Sequence, residues 1–221
     1  MPKIRKAGKL KATGDYKIYK PYVDEIVTKW MTPLVRSAGV KYVVEGKENI
    51  PDDETVLFMA NHQGMFDFPI GITCFKKPCA YIVKKEAESY PLVNHCMRLM
   101  DCIYIDRDNA REALKSLDAA ARLINDGRSV IIFPEGTRSK TGEIGEFKNG
   151  AYKIIEKTHC KVIPVLINGT RHALEETGNV VPTDVKVKIL PAFDTKDMDR
   201  KQIKALPSKI REMLVEELAK R

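Results

Sequence analysis

At 221 residues, with 43% apolar and 31% charged side chains, the chain has the length of one domain and the composition of an ordinary globular fold. That excludes a disordered, collagenous or disulfide-stapled chain, and no apolar run approaches the roughly 18 residues that a membrane span requires. The net charge of +8 is unevenly placed. Residues 1–20 hold Lys3, Arg5, Lys6, Lys9, Lys11, Lys17 and Lys20 against Asp15, a surplus of +6, and leave +2 for everything after them.

A basic arm on a near-neutral body suits an anionic lipid surface or nucleic acid, or it is a solvated leader. The opening residues carry no apolar stretch of the secretory kind, so the expected setting is cytoplasmic. Ile18, Tyr19, Tyr22, Val23, Ile26, Val27, Trp30, Met31, Leu34 and Val35 then recur in pairs every four residues, a wide apolar helical stripe. Pro21 suits a first turn and Pro33 predicts a kink or a stop. The stripe either joins the arm in lying on a membrane or packs on the core of the domain.

Beyond residue 37, strand-like runs alternate with helical patterns. Strands are expected at 41–45 and 55–60, a helix at 67–75, and short strands at 80–83 and 103–105 around a less clear helical stretch. Residues 111–126 form the clearest helix: Leu114, Leu117, Ala121 and Ile124 share a face, Asp108 or Asn109 caps it, and Gly127 ends it. A buried strand at 129–133, a helix at 150–158, strands at 162–167 and 185–189, and a long helix over 199–220 complete the chain. Pro164 sits awkwardly inside its strand, because proline donates nothing to a ladder. This alternation predicts an α/β fold: a single layered domain over 38–221, with a largely parallel central sheet flanked by helices. Residues 1–37 add the basic leader and the amphipathic helical segment read for membrane association.

Chemistry in such sheets gathers where strands hand over at their carboxyl ends. Asn61-His62-Gln63-Gly64 follows one strand, Asp106-Arg107 a second, Pro134-Glu135-Gly136-Thr137-Arg138-Ser139 a third and Asn168-Gly169-Thr170 a fourth. His62 and Asp67 form His-x4-Asp: a neutral imidazole takes a proton from an alcohol, and a carboxylate fixes its tautomer. Five residues apart they lie about 140° apart on a continuous helix, so pairing needs a break, which Gly64 offers. Taken alone, that spacing is as ordinary as any surface or core histidine. In the third loop, Arg138 suits bidentate contact with phosphate, with a Glu–Arg surface pair as the plain alternative. The five cysteines (Cys74, Cys79, Cys96, Cys102, Cys160) contain no C-x-x-C pair, and the four histidines show no ligand spacing. No metal is expected. Cys96 or Cys102 remains open as a nucleophile, though neither has an evident base.

In one order the chain carries Asn61-His62-Gln63-Gly64-Met65-Phe66-Asp67, Ile105-Asp106-Arg107, Phe133-Pro134-Glu135-Gly136-Thr137-Arg138-Ser139, Phe147-Lys148-Asn149-Gly150-Ala151 and Val162-Ile163-Pro164-Val165. Over roughly residues 40–175 this set resembles the glycerolipid acyltransferase family of phospholipid synthesis. The resemblance implies acyl transfer from a thioester, either acyl-CoA or acyl-carrier protein, to the free hydroxyl of lysophosphatidic acid, with no bound cofactor. It implies His62 as general base and Asp67 as the group that orients it. Arg107, Glu135, Gly136, Thr137 and Arg138 are implied at the glycerol-phosphate end, and Pro164 at the acyl donor. Lys148 joins the phosphate pocket on charge grounds, and Lys84 or Lys85 is a further candidate. Asn94 stands where relatives commonly have glycine. The frequent N-terminal membrane-spanning helix is absent, which leaves peripheral association through the leader. Other acceptors (glycerol 3-phosphate, another lysophospholipid, an acyl-amino lipid) stay open, and a basic nucleic-acid binder leaves His62 and Asp67 unexplained.

Overall fold

The computed structural model describes residues 2–13, 16–75 and 79–220. Asp15 lies outside them, and so do the side chains of Lys3, Arg5, Lys17, Ile18 and Leu92. The chain opens with α1 (Pro2–Ala12) and α2 (Tyr16–Ser37), then runs β1 (Val40–Glu45), β2 (Val56–Ala60), α3 (Asp67–Cys74), β3 (Ala80–Lys84), α4 (Pro91–Leu99) and β4 (Ile103–Ile105). It continues through α5 (Ala110–Asn125), β5 (Val130–Ile132), α6 (Gly150–Thr158), β6 (Lys161–Asn168), β7 (Thr183–Ile189) and α7 (Arg200–Ala219). The expected strands and helices are present, with ends displaced by a residue or two.

Among the described residues the strands form one seven-stranded sheet in the order β1-β7-β6-β2-β5-β3-β4. Every neighbouring pair is parallel except β6–β7. The central strands are covered on both faces, which is why β2 reads Val-Leu-Phe-Met-Ala without alternation. Val56, Phe58 and Ala60 face the layer of α2 and α3, with Ile163, Val165 and Ile167 of β6 beside them. Leu57, Met59, Val162 and Leu166 face the opposite layer, where α5, α6 and α7 contribute Leu117, Ile154, Ile155, Ile203 and Ile210.

Pro164 is accommodated by a defect in the pairing. The ladder between β6 and β7 ends at Val165↔Ile189, and the next pair is Val162↔Phe193, a register step of one residue. Pro164 lies in that step. Its carbonyl accepts the Leu190 N–H, and its missing donor falls in the bulge opposite.

Three local expectations change. Pro21 lies inside α2 rather than in its first turn, because the helix already begins at Tyr16. Pro33 neither stops nor interrupts α2, which runs through both prolines to Ser37. Pro33 is on the exposed face, so the carbonyl it frees is open to water, while Met31 and Val35 on the buried face clamp the turn to the core. Leu114, assigned to the buried face of α5, is 40% exposed, whereas Leu117, Ala121 and Ile124 are buried. Asn109 is the cap of α5, accepting the N–H groups of Arg111 and Glu112.

The apolar stripe of α2 is core. Tyr19, Val23, Ile26, Val27, Met31 and Val35 are buried in the same cluster as β1, α3 and α4, with Tyr22, Trp30 and Leu34 packed at its margin. Asp101, at the α4–β4 turn, closes the arrangement by accepting the Tyr19 hydroxyl (2.7 Å) and pairing with Lys11 (2.7 Å) and Arg128 (2.6 Å).

Candidate active site

Because β6, β2, β5, β3 and β4 run parallel side by side, their carboxyl ends open on one edge of the sheet. The loop 61–66, leaving β2, carries His62 and enters α3 at Asp67. Asp67 is fully buried, and its two oxygens receive four donors. Oδ2 accepts from His62 Nδ1 (2.6 Å), Gln63 N–H (2.7 Å) and Gly64 N–H (3.0 Å), and Oδ1 accepts from the Thr170 hydroxyl (2.5 Å). Every one of these contacts is a bond that an Asp67 oxygen accepts. Its bond to Nδ1 therefore places the imidazole proton on Nδ1 and the lone pair on Nε2. The His62 side chain is 22% exposed, and Nε2 makes no bond to the described residues. Phe133 stacks on the ring at 4.3 Å between centroids, fixing its plane.

Gly64 earns its place by close approach. Its φ is not positive, but a Cβ there would lie 2.7 Å from Glu175 Oε2 and 2.9 Å from the Thr170 carbonyl oxygen. The turn that brings His62 back to Asp67 is thus pressed against the chain after β6. Neighbouring side chains pin it. Asn61 bonds both ways with the Ile167 backbone (2.9 and 2.7 Å), and Gln63 Oε1 accepts the Gly169 N–H (2.8 Å).

The loop after β5 clamps the backbone of His62. Glu135 Oε1 accepts the His62 N–H (2.7 Å), Glu135 Oε2 accepts the Gly145 N–H (2.8 Å), and the His62 carbonyl accepts the Ser139 N–H (2.8 Å). Glu135 is buried, and burial pushes its carboxyl above the usual range against the pull of those two N–H groups. Both of its oxygens are turned into the loop. Gly136 has φ +72°, and a Cβ on it would sit 3.1 Å from Lys148 Nζ, so the lysine lies across this turn. Thr137 is exposed. Arg138 Nη1 donates to Glu175 Oε1 (2.7 Å) while the arginine side chain stays 46% exposed.

Arg107 stands at the end of β4, three strands from β2 and so about 14 Å along the same edge. It is half-buried, burial lowers its guanidinium from the usual range, and it makes no ion pair among the described residues. Lys84 and Lys85 are paired with Glu86 (2.5 Å) and Asp106 (3.2 Å). The edge therefore assembles His62, Asp67, Glu135, Gly136, Arg138 and Lys148, with Arg107 farther along. Pro164 is not part of that assembly: it is buried in mid-strand on the face of Val162 and Leu166. Cys96 and Cys102 are buried, and burial pushes their thiols up to about 11 and about 12, the opposite of an activated nucleophile.

Thr170 was placed at the edge without a role, and Glu175 carried no signal at all. It lies outside every motif block, and its two partners are 110 and 37 residues away.

An acyltransferase family model matches residues 41–168. The 1-acyl-sn-glycerol-3-phosphate acyltransferase of Borreliella burgdorferi is 32% identical over 184 residues, 82% of this chain and 73% of that protein. A probable 1-acyl-sn-glycerol-3-phosphate acyltransferase of Mycoplasma pneumoniae is 36% identical over 166 residues, 71% of this chain and 62% of that protein. The crystal structure of the 1-acyl-sn-glycerophosphate (LPA) acyltransferase PlsC from Thermotoga maritima superposes with a TM-score of 0.80 at 30% identity, covering 94% of this chain and 84% of that one. With its five parallel strands opening on a His–Asp pair, and with a match of this extent, the chain belongs to the acyltransferase family.

Proposed function

We propose that the protein transfers a fatty acyl group from acyl-CoA or acyl-carrier protein to the free hydroxyl of lysophosphatidic acid, giving phosphatidic acid for phospholipid synthesis. The observation that carries this reading is the His62 ring, with Nδ1 tied to a buried carboxylate and Nε2 left open at an edge that also presents Arg107, Arg138 and Lys148. Nε2 takes the proton of the acceptor hydroxyl as its oxygen attacks the thioester carbon. Asp67 holds the ring in the working tautomer and stabilises the imidazolium that forms. Collapse of the tetrahedral intermediate expels the thiolate, which recovers the proton from His62. Arg107, Arg138 and Lys148 bind the phosphate, a dianion that needs several cations. Gly136 and Thr137 lie on the turn that leads into Arg138, with Lys148 across it, and Glu135 serves by holding the His62 backbone. Pro164, read by resemblance at the acyl donor, has only its place beneath the edge in support.

No helix among the described residues is long and apolar enough to cross a membrane. Since the stripe of α2 faces inward, association with the cytoplasmic face of an anionic membrane rests on the cations of α1, with Lys6 and Lys9 exposed. Nucleic acid has no part in this reading.

A thiol-release assay with palmitoyl-CoA or palmitoyl-acyl-carrier protein, lysophosphatidic acid and anionic vesicles tests the chemistry. Release should require both the acceptor and His62, with His62→Ala reducing turnover by about 10²–10⁴. Near-normal turnover in that variant overturns the base assignment. Acceptor-dependent release with glycerol 3-phosphate alone would move the substrate assignment.

A further inference from the structure

We infer that Glu175 is a positioning residue for acceptor recognition: it couples the loop that carries His62 to the guanidinium of Arg138. This rests on Arg138 binding the phosphate, as proposed above. One oxygen, Oε1, accepts from two separate motif loops, the Met65 N–H three residues after the base (2.7 Å) and Arg138 Nη1 (2.7 Å). The other, Oε2, is buried without a hydrogen-bond partner among the described residues and is packed against Gly64. A buried carboxylate oxygen without a donor is costly, and a pair with a half-exposed arginine returns little stability. Stability alone is therefore a poor account of why the carboxylate sits here.

Geometry offers a better one. Glu175 is set by a rigid piece of chain after β6. Its own N–H bonds to the Arg171 carbonyl (3.0 Å), the Gly178 N–H to the Leu174 carbonyl (2.8 Å) and the Val181 N–H to the Ala173 carbonyl (2.9 Å). The same segment gives Thr170 to Asp67. A single support thus spaces the base from the cation. Arg138 uses Nη1 on Glu175 and keeps Nη2 and Nε for a bidentate contact with phosphate. An untethered arginine side chain would lose more rotamer freedom on making that contact.

The test is a double-variant cycle on equilibrium binding of 1-oleoyl-lysophosphatidic acid in detergent micelles, with monoolein, which lacks the phosphate, as the control ligand. Glu175→Ala and Arg138→Ala should each weaken lysophosphatidic acid by about tenfold. The double variant should bind like Arg138→Ala alone, and none of the three should alter monoolein binding. Glu175→Gln keeps an acceptor oxygen for the Met65 N–H but loses the charge that holds Arg138. It should weaken lysophosphatidic acid only where Arg138 is present, and it carries the same comparison should Glu175→Ala fail to fold. Two results overturn the coupling: a glutamate variant that binds like wild type, or single effects that multiply in the double variant. A wild type that binds lysophosphatidic acid no tighter than monoolein, or an Arg138→Ala that binds like wild type, instead overturns the phosphate reading on which the inference rests.

Discussion

The helix α2 packs on α3 and the segment 61–67 leads into α3, but the two are held by opposite means. α2 is held by apolar burial, with polar partners that are mostly local: Lys20 pairs with Asp24 (3.0 Å) and Lys29 with Glu25, each one turn away. The loop is held by polar bonds from distant parts of the chain: His62 to Glu135, Asn61 to Ile167, Gln63 to Gly169, Met65 to Glu175 and Asp67 to Thr170. Apolar contact is graded and shared among many neighbours, so loss of one contact is spread. A buried polar bond is directional, and losing one partner strands the other. The first region should therefore set how stable the protein is, and the second whether it works.

The sharpest way to break that contrast is at Asp67. Asp67→Asn keeps an oxygen for the Gln63 and Gly64 N–H groups by turning its NH2 to the Thr170 hydroxyl, but it removes the negative charge that holds the proton on Nδ1 and stabilises the imidazolium. We expect kcat to fall by about 10³–10⁴ while thermal unfolding shows a folded protein. Near-normal kcat would mean that the tautomer is fixed by something else. Met31→Ala in α2 should do the reverse, costing about 2–5 kcal/mol of stability in denaturant unfolding and leaving kcat near wild type. A comparable loss of kcat at full folding would tie α2 to the chemistry and erase the distinction.

A milder change is expected at Asp24, a half-buried acid within α2 itself. Burial raises its carboxyl to about 6, only partly opposed by Lys20. The unfolded value is near 3.9, so the fold favours the protonated form. Stability from this group is present below pH 4 and is lost as pH rises through about 6. Asp24→Asn should raise the melting temperature at pH 8 and leave it unchanged at pH 4. A destabilised variant at pH 8 would show that the Lys20 pair outweighs the burial.

Much of this molecule could be read locally. The pattern Val-Leu-Phe-Met-Ala marks a strand covered on both faces, Asn109 and Gly127 bracket α5, and Asp199 with Gln202 forms a capping box at α7. Pro33 and Pro164 were misleading for one shared reason. A proline's local penalty can be absorbed by an exposed helical face or by a bulge, and only the neighbours reveal which is available. Leu114 misled because α5 offers more apolar positions than its contact with the sheet can cover.

At the site, His62, Asp67 and the turn at Glu135–Arg138 stood out as residue types in a telling order, and what each one touches did not. The backbone clamp by Glu135, the hydroxyl of Thr170 and the shared oxygen of Glu175 join positions 73, 103 and 110 residues apart. The alternation of strands and helices, the ends of the best-capped helices and the presence of residue types suited to moving a proton are legible along the chain, because each depends on the residue itself or on neighbours within a few positions. Long-range packing makes the α2 stripe core, and the meeting of strand ends leaves Gly64 no room for a side chain and brings Glu135 and Glu175 to the loop around His62. Those facts arise where parallel strands end side by side, and hydrogen bonds across such an edge leave no periodicity in the chain.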